Sequence, residues 1–173
     1  TTNGPLGTAI LLYPPNGNSA EVSTHDCCSG GGDKLDWKLA TNGIYTIVIE
    51  DNSLSLTGSY NLTLLKLPGT ISSSEDTDGD LIASGQSFTG RMQTPSDMDG
   101  FQFYGNAGDR VIINAVTVGG NLGTAIVLYP PKGGAAEVST HNCCSGGGDH
   151  VDHQLVTNGL YTIVIEDNGL SGT

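Results

Sequence analysis

Residues 123–130 read GTAIVLYP, and residues 7–14 repeat this stretch almost unchanged as GTAILLYP. Each copy is an apolar run of strand length, rich in branched side chains, and each stops at a proline, which is a turn signal. No convincing helical period accompanies them. Glycine is abundant, with 26 residues, and Thr, Ser and Asn are frequent. Together these features predict an all-β protein with many turns.

Other segments carry the same signal. In GFQFYG, Phe101 and Phe103 alternate with a glutamine, as they do in a half-buried strand. In SYNLTLLKL, alternation predicts that Tyr60, Leu62 and Leu64 point inward. The further predicted strands are SGQSFTGRM (84–92) and DRVIINAVT (109–117).

A hairpin is predicted at Asn158-Gly159, because Asn-Gly between two apolar runs is the strongest short hairpin signal. The first copy has the same dipeptide at Asn42-Gly43. About eight strands in a unit of this size predict a β-sandwich of jelly-roll type.

The chain repeats itself. Residues 6–57 align with 122–173 at a constant offset of 116, with 39 of 52 positions identical, whereas 58–116 occur once. About one and a half copies of a 116-residue unit are therefore present. This favours a window from a longer tandem array over a subunit that lends a strand to its neighbour, or a proteolytic fragment.

The predicted domain organisation has three parts. Residues 1–67 form the C-terminal part of one unit, 68–83 an acidic Ser/Asp-rich linker, and 84–173 a second unit that lacks its last strand. The linker contains Pro-Gly, a serine run and an acidic cluster, without periodicity.

Charge and hydropathy limit the function. Eighteen acidic against six basic residues give a net charge of −12, which argues against nucleic acid or anionic membrane as a partner. No stretch approaches the roughly 20 apolar residues of a membrane span, so no membrane insertion is expected. The chain starts at Thr1 without a signal peptide and is interpreted as a mature or excised segment.

The ordered motifs resemble a known family, the bacterial pre-peptidase C-terminal domain. They are SGQSFTG, PSDMDGFQFYGNAGDRVIINAV, LGTAIVLYPP, GGGDHVDHQLVTNGLYTIVIED and TGSYNLTLL. The resemblance implies a secreted jelly-roll β-sandwich that accompanies enzymes or belongs to extracellular multidomain proteins, and that binds or spaces without catalysing. One motif departs: where the family tends to have an acidic turn, this chain has HDCCSGGGD and HNCCSGGGD. A cation role of that turn is therefore not carried over.

All four cysteines stand in adjacent pairs, Cys27–Cys28 and Cys143–Cys144. Adjacent Cα atoms lie about 3.8 Å apart, short of the roughly 4.4–6.8 Å that disulfides span, so a vicinal bond is strained. It is nevertheless the favoured hypothesis, and a bridge to another chain, a metal site with the nearby histidines and free thiols remain open. Zinc sites favour cysteines separated by two to four residues, which counts against a metal.

Catalysis is not predicted. His25, Asp26 and Cys27 are consecutive, so alternation along a strand sends their side chains to different faces. The chain also has no G-x-S-x-G elbow. We expect that it is not an enzyme.

Calcium is the candidate cofactor. EDTDGD places Asp76, Asp78 and Asp80 at alternate positions, and carboxylate oxygens at such spacing suit a hard cation. Asp97 and Asp99 of SDMDGF match the family's D-x-D motif and are expected to close the site. The alternative is a solvated acidic linker kept extended by self-repulsion.

Two smaller motifs are weaker. Asn61 opens the sole N-x-S/T sequon, and an outward-facing Asn61 would accept a glycan, although a chance occurrence of the motif is the favoured alternative. His150 and His153 form an H-x-x-H motif, but Lys34 and Trp37 replace them in the first copy, so no shared metal site is expected.

The favoured function is structural: head-to-tail sandwich units that form an extracellular fibre or cell-surface stalk, with copies of itself as partners and a glycan coat. Near-identical units suit a repeated structural task. The alternative is a non-catalytic binding or adhesion module of a secreted hydrolase or adhesin, which predicts an exposed aromatic patch. The exchange of Trp37 for His153 argues against a ligand face shared by both copies.

Overall fold

The structure is a computed structural model that describes residues 6–25, 32–71, 81–141 and 147–168. Within these ranges every regular element is a β-strand, which confirms the all-β class. The chain divides into two compact units, unit 1 (Thr1–Asn61) and unit 2 (Leu62–Thr173).

Unit 1 contains one antiparallel sheet with strand order β2-β1-β3. Its strands are β1 (Thr8–Tyr13), β2 (Val22–His25) and β3 (Thr46–Asp51). The central strand pairs Ile10 with Thr24 on one side and with Ile49 on the other. Ala9 and Leu12 are the buried hydrophobic residues of the described part of this unit.

Unit 2 contains a four-stranded sheet of order β4-β9-β6-β7 and a two-stranded sheet of β5 and β8, both antiparallel. Its strands are β4 (Met98–Gly105), β5 (Arg110–Val116), β6 (Thr124–Tyr129), β7 (Val138–His141), β8 (Gly148–Gln154) and β9 (Gly159–Asp167).

The main core lies between the two sheets of unit 2. The inner face of the four-stranded sheet contributes Ile126 and Leu128 from β6 and Tyr161 and Ile163 from β9. These side chains pack with others from the two-stranded sheet and its flank, notably Val151 and Leu155. Full burial of each such side chain stabilises the fold by about 1.5–3 kcal/mol. Phe101 and Phe103 of β4 both pack on this core, which confirms that they share one face.

The opposite, outer face of the four-stranded sheet is also apolar. It presents a buried cluster of Val127, Tyr129 and Val164. Every residue of β6 is therefore buried, on both faces of the sheet. A strand covered on both sides is apolar throughout, without alternation, which explains the run TAIVLY.

The Asn158-Gly159 hairpin prediction is wrong. β8 pairs with β5, whereas β9 pairs with β4 and β6, so the two strands that flank the dipeptide belong to different sheets. Gly159 has φ +139°, and the Asn158 side chain accepts a hydrogen bond from the backbone N–H of Ala107 at 2.7 Å. The dipeptide therefore forms a crossing between layers, because both strands find longer pairings elsewhere.

Two predicted strands are also wrong. SYNLTLLKL (59–67) and SGQSFTGRM (84–92) run without strand pairing. The side chains expected to point inward, Tyr60, Leu62 and Leu64, are 49–70% exposed. Their neighbours Leu65 and Leu67 pack inward instead, because the segment lies across a sheet face rather than within a sheet.

Candidate functional site

The outer face of unit 2 is covered by residues 62–71, which we call the covering segment. Leu65 and Leu67 of this segment pack against the cluster of Val127, Tyr129 and Val164. With this cover, Val164 is only 2% exposed. The contact removes apolar surface of both partners from water, which is its main stabilising contribution.

Two glycines let the covering segment approach the sheet closely, because a side chain at either position would collide with it. A Cβ on Gly133 would lie 2.9 Å from the Leu67 carbonyl oxygen, and one on Gly100 would lie 2.8 Å from Ile71 Cδ1. The Gln102 side chain adds a polar anchor, since its Nε2 donates to the Gly69 carbonyl oxygen at 3.1 Å. The segment is therefore fitted to this face by shape and by hydrogen bonding.

The equivalent face of unit 1 differs in burial although its sequence is nearly the same. At an offset of 116, the counterparts of Val127, Tyr129 and Val164 are Leu11, Tyr13 and Val48. All three are half-buried rather than buried. The covering segment occurs once in the sequence and belongs to unit 2.

The inner face of unit 1 is also more exposed than its equivalent. Leu39 is 43% exposed, whereas its counterpart Leu155 is 2% exposed. Residues 32–38, which correspond to β8, form no strand. In unit 2 the pairing partner of β8 is β5, and a sheet strand requires such a partner.

A tyrosine hydroxyl is placed in the same way in both units. Tyr161 donates to the Thr157 carbonyl oxygen at 3.0 Å and accepts from the Thr157 N–H at 3.0 Å. Tyr45 makes the same pair of bonds with Thr41, at 3.2 and 3.0 Å. In each unit the connection that leads into the last strand is thus fixed locally, by a hydroxyl that hydrogen-bonds to the backbone four residues upstream.

A glutamate carboxylate also has the same role in both units. Glu21 accepts from Trp37 Nε1 at 2.8 Å, and Glu137 lies 3.0 Å from His153 Nε2. The exchange of Trp37 for His153 therefore keeps a ring nitrogen as the partner of the same carboxylate.

The predicted calcium ligands fall only partly within the described residues. Asp76, Asp78 and Asp80 lie outside them. Asp97 accepts from the backbone N–H groups of Gln93 at 2.8 Å and of Met98 at 3.0 Å, which ties down the loop before β4. Asp99 is buried, with its Oδ2 against the position that a Cβ on Gly90 would occupy.

The cysteine pairs Cys27–Cys28 and Cys143–Cys144 also lie outside the described residues, so the disulfide, metal and thiol readings stay predictions. The histidines that precede them, His25 and His141, end β2 and β7. In the parts of the chain that the structure describes, no group of three or more His, Cys, Asp or Glu side chains is arranged to hold a metal ion.

The smaller motifs are also separated by the structure. His150 Nδ1 lies 2.7 Å from Asn114 Oδ1, whereas His153 is bonded to a glutamate, so the two histidines have different partners. Asn61, the predicted glycan site, is exposed. Its modification stays a prediction.

Two carboxylates have pKa values set by their hydrogen bonds. The hydroxyl of Ser53 and the backbone N–H groups of Ser55, Leu56 and Gly7 donate to Asp51 and lower its pKa to about 2. The hydrogen bonds from Arg110 lower the pKa of Asp152, and this exposed pair joins β5 to β8.

Comparison of the chain with protein-family models, with curated protein sequences and with solved structures found no match. The resemblance to the pre-peptidase C-terminal domain therefore stays a prediction. In the part of the chain that the structure describes, no helix is long and apolar enough to cross a membrane.

The sequence does not predict that residues 62–71 cover a sheet face. The available signal was the sequence of β6, TAIVLY, whose continuous apolar run leaves no polar face for solvent. Such a run indicates that both faces of the strand are covered. The covering partner was harder to find, because an irregular segment has no period.

Proposed function

We propose that the chain is a structural repeat protein that forms an extracellular fibre or cell-surface stalk from head-to-tail β-sandwich units of jelly-roll type. One observation carries the proposal. The covering segment, which begins a few residues after the first sequence repeat ends, is packed into unit 2, against the outer face of its main sheet. The end of one repeat thus serves as part of the next.

The near-identity of the repeats supports the same function. Between the two copies 39 of 52 aligned positions are identical, including exposed positions and the turns. A repeated structural task requires the same surfaces in every unit, because each unit contacts the same kind of neighbour. The partners are therefore copies of the same chain.

Three features of the sequence complete the proposal. Calcium held by the acidic linker would stiffen the junction between units, and the Cys-Cys loops would rigidify a turn or tie neighbouring strings. A glycan on Asn61 would coat the outside. Chelation of calcium is then expected to make filaments more flexible without dispersing them, since the sheets supply the packing.

Negative-stain electron microscopy of native material and of the purified chain tests the proposal. The expected result is filaments with an axial repeat near one sandwich length, roughly 30–40 Å for a unit of this size. Discrete small particles in both samples would contradict a fibre and favour the binding module.

A further inference from the structure

We propose that the covering segment is a tension-sensitive cover, which detaches from unit 2 before either of its sheets breaks and exposes the outer cluster of Val127, Tyr129 and Val164. The inference rests on the proposed function, because tension between units arises where units are joined head to tail. It adds the element that yields first and the surface that is then exposed.

The covering segment lies on the path of the load by connectivity alone. Unit 1 ends at Asn61, and the covering segment is the first part of unit 2. Any tension that unit 1 exerts on the sheets of unit 2 therefore passes through residues 62–71. The load enters at Leu62, so Leu65 is the first described contact with the outer cluster that bears it.

The covering segment is held by side chains and not by strand pairing. Leu65 and Leu67 pack on the outer cluster, and Gln102 Nε2 donates to the Gly69 carbonyl oxygen. Leu64 and Lys66, between these contacts, are exposed. Residues 62–71 belong to none of the sheets. The attachment is therefore a short series of local contacts.

The strands beneath the covering segment are held more firmly. β9 pairs with β4 over eight residue pairs and with β6 over six. The inner side chains of these two pairings are in the main core, where Ile126 and Tyr161 are fully buried. Parts of a protein with few buried contacts open at the lowest free energy, and forced opening follows the rate of unfolding. We therefore expect the covering segment to leave while both sheets persist.

Release changes the surface of unit 2. Under the cover Val127 is 6% and Val164 2% exposed, and the two residues are directly opposite each other on β6 and β9. Without the cover they form an apolar patch on a four-stranded sheet, which attracts other apolar groups in water. The segment remains tethered to the unit, so its high effective concentration closes the cover again when the tension ends.

Optical tweezers applied to the full chain test the order of release. One handle is attached at position 60 through an azidophenylalanine in place of the exposed Tyr60, and the other at the C-terminus, so that unit 1 carries no load. We expect a short first step, at most roughly 70 Å because residues 62–81 span no more when extended, followed by a much longer step when the sheets break.

A second handle position is the control for the load path. Moving the first handle to the exposed Leu81 bypasses the covering segment, so the short step should disappear while the long step stays. A single long step from position 60 would overturn the proposal. A short step that persists from position 81 would overturn it as well, because another element would then yield first.

Two variants identify the contact that yields. Leu65→Asp should speed the short step at a fixed force by about tenfold or more, because a charge replaces a packed apolar side chain, and should leave the long step unchanged. Leu64→Asp is the matched control and should leave both steps unchanged, since Leu64 is 70% exposed. Equal effects of the two variants would contradict the assignment of the short step to the covering segment.

A peptide measures the exposure of the outer cluster. A synthetic peptide of residues 62–71, added while the chain is held after the short step, should delay the return of the cover when the force is lowered, because it occupies the exposed face. The same peptide with Leu65→Asp and Leu67→Asp should cause no delay. Equal return rates with both peptides would mean that release does not expose this face, which overturns the proposal.

The results separate this inference from the proposed function. Filaments built from a chain that shows no short step would leave the fibre standing and overturn the inference alone. A short step in a chain that gives only discrete particles would support the releasable cover and remove the fibre.

Discussion

At the residue scale, the Asp51 carboxylate at the end of β3 accepts the hydrogen bonds that hold the following loop. Its Oδ2 accepts the Ser53 hydroxyl at 2.6 Å and the N–H groups of Ser55 and Leu56 at 3.0 Å each, while Oδ1 accepts from Gly7 at 3.3 Å. Each bond favours the charged form of the carboxylate. The loop after β3 is therefore held together by a charge.

This charge predicts a pH dependence. The pKa of Asp51 is about 2 in the folded chain against 3.8 as its ordinary value, so its stabilisation is present above about pH 4 and disappears as the pH falls towards 2. Asp51→Asn should lower the stability of unit 1 at neutral pH, and the difference from wild type should vanish across that window. Denaturation followed by Trp37, the sole tryptophan, reports on this unit.

The neighbouring Glu50→Gln is the matched control, since Glu50 is exposed on the same strand. It should leave the acid limb of the stability curve unchanged. A D51N variant that keeps the wild-type profile would show that the observed hydrogen bonds contribute nothing.

Adjacent leucines give a second test at the same scale. Leu65 packs on the outer cluster of unit 2, whereas Leu64 is 70% exposed. Leu65→Asp should destabilise unit 2 by about 1–3 kcal/mol, because a charge would replace a packed apolar side chain. Leu64→Asp should change stability by no more than about 0.5 kcal/mol. Urea denaturation measures both, and equal effects would mean that the covering segment does not pack as described.

At the element scale, the strands that were predictable are those with strong apolar runs. TAIVLY could be predicted because it is buried at every position and is apolar almost throughout. RVIINAV could be predicted because it is shielded at alternate positions, where its side chains are apolar. The Asn158-Gly159 link was not predictable, because turn chemistry does not reveal whether the next strand pairs with the previous one or crosses to another sheet. The covering segment has alternating apolar residues, but it lies across a sheet face and not within a sheet. Leu65 and Leu67 therefore pack inward instead of the predicted positions.

The Asn-Gly crossing makes a prediction of its own. Gly159 has φ +139°, and a Cβ there would lie 2.7 Å from Pro131 Cβ. Gly159→Ala should therefore cost about 1–3 kcal/mol of stability, through backbone strain and the clash with the ring. Gly119→Ala is the control, because no atom lies within 4 Å of the position that its Cβ would take and its φ is ordinary. Thermal denaturation of the two variants should differ clearly, and similar midpoints would contradict the strain.

At the scale of the whole molecule, the two copies show that nearly the same sequence can form a strand in one unit and no strand in the other. GGGDHVDHQL contributes β8 in unit 2, where β5 pairs with it, while GGGDKLDWKL forms no strand in the described part of unit 1. The candidate calcium ligands and the cysteine pairs were predicted from side-chain type and spacing alone, and most of them lie outside the described residues. The fold class could be read from periodicity, whereas burial depends on which neighbours each strand obtains.

The same contrast predicts unequal dynamics for nearly equal sequences. β6 and β9 are covered on both faces and paired on both edges, whereas β1 and β3 are mostly half-buried and β3 pairs with β1 alone among the described residues. Amides open locally with a free energy that follows such packing, so we expect residues 8–13 and 46–51 to exchange at least about tenfold faster than 124–129 and 162–167. Hydrogen exchange of the untreated chain measures all four stretches together, and the near-identical sequences cancel differences in intrinsic rate. Equal exchange would mean that the neighbours of a strand do not govern its stability here, and the role of the covering segment would fall with that result.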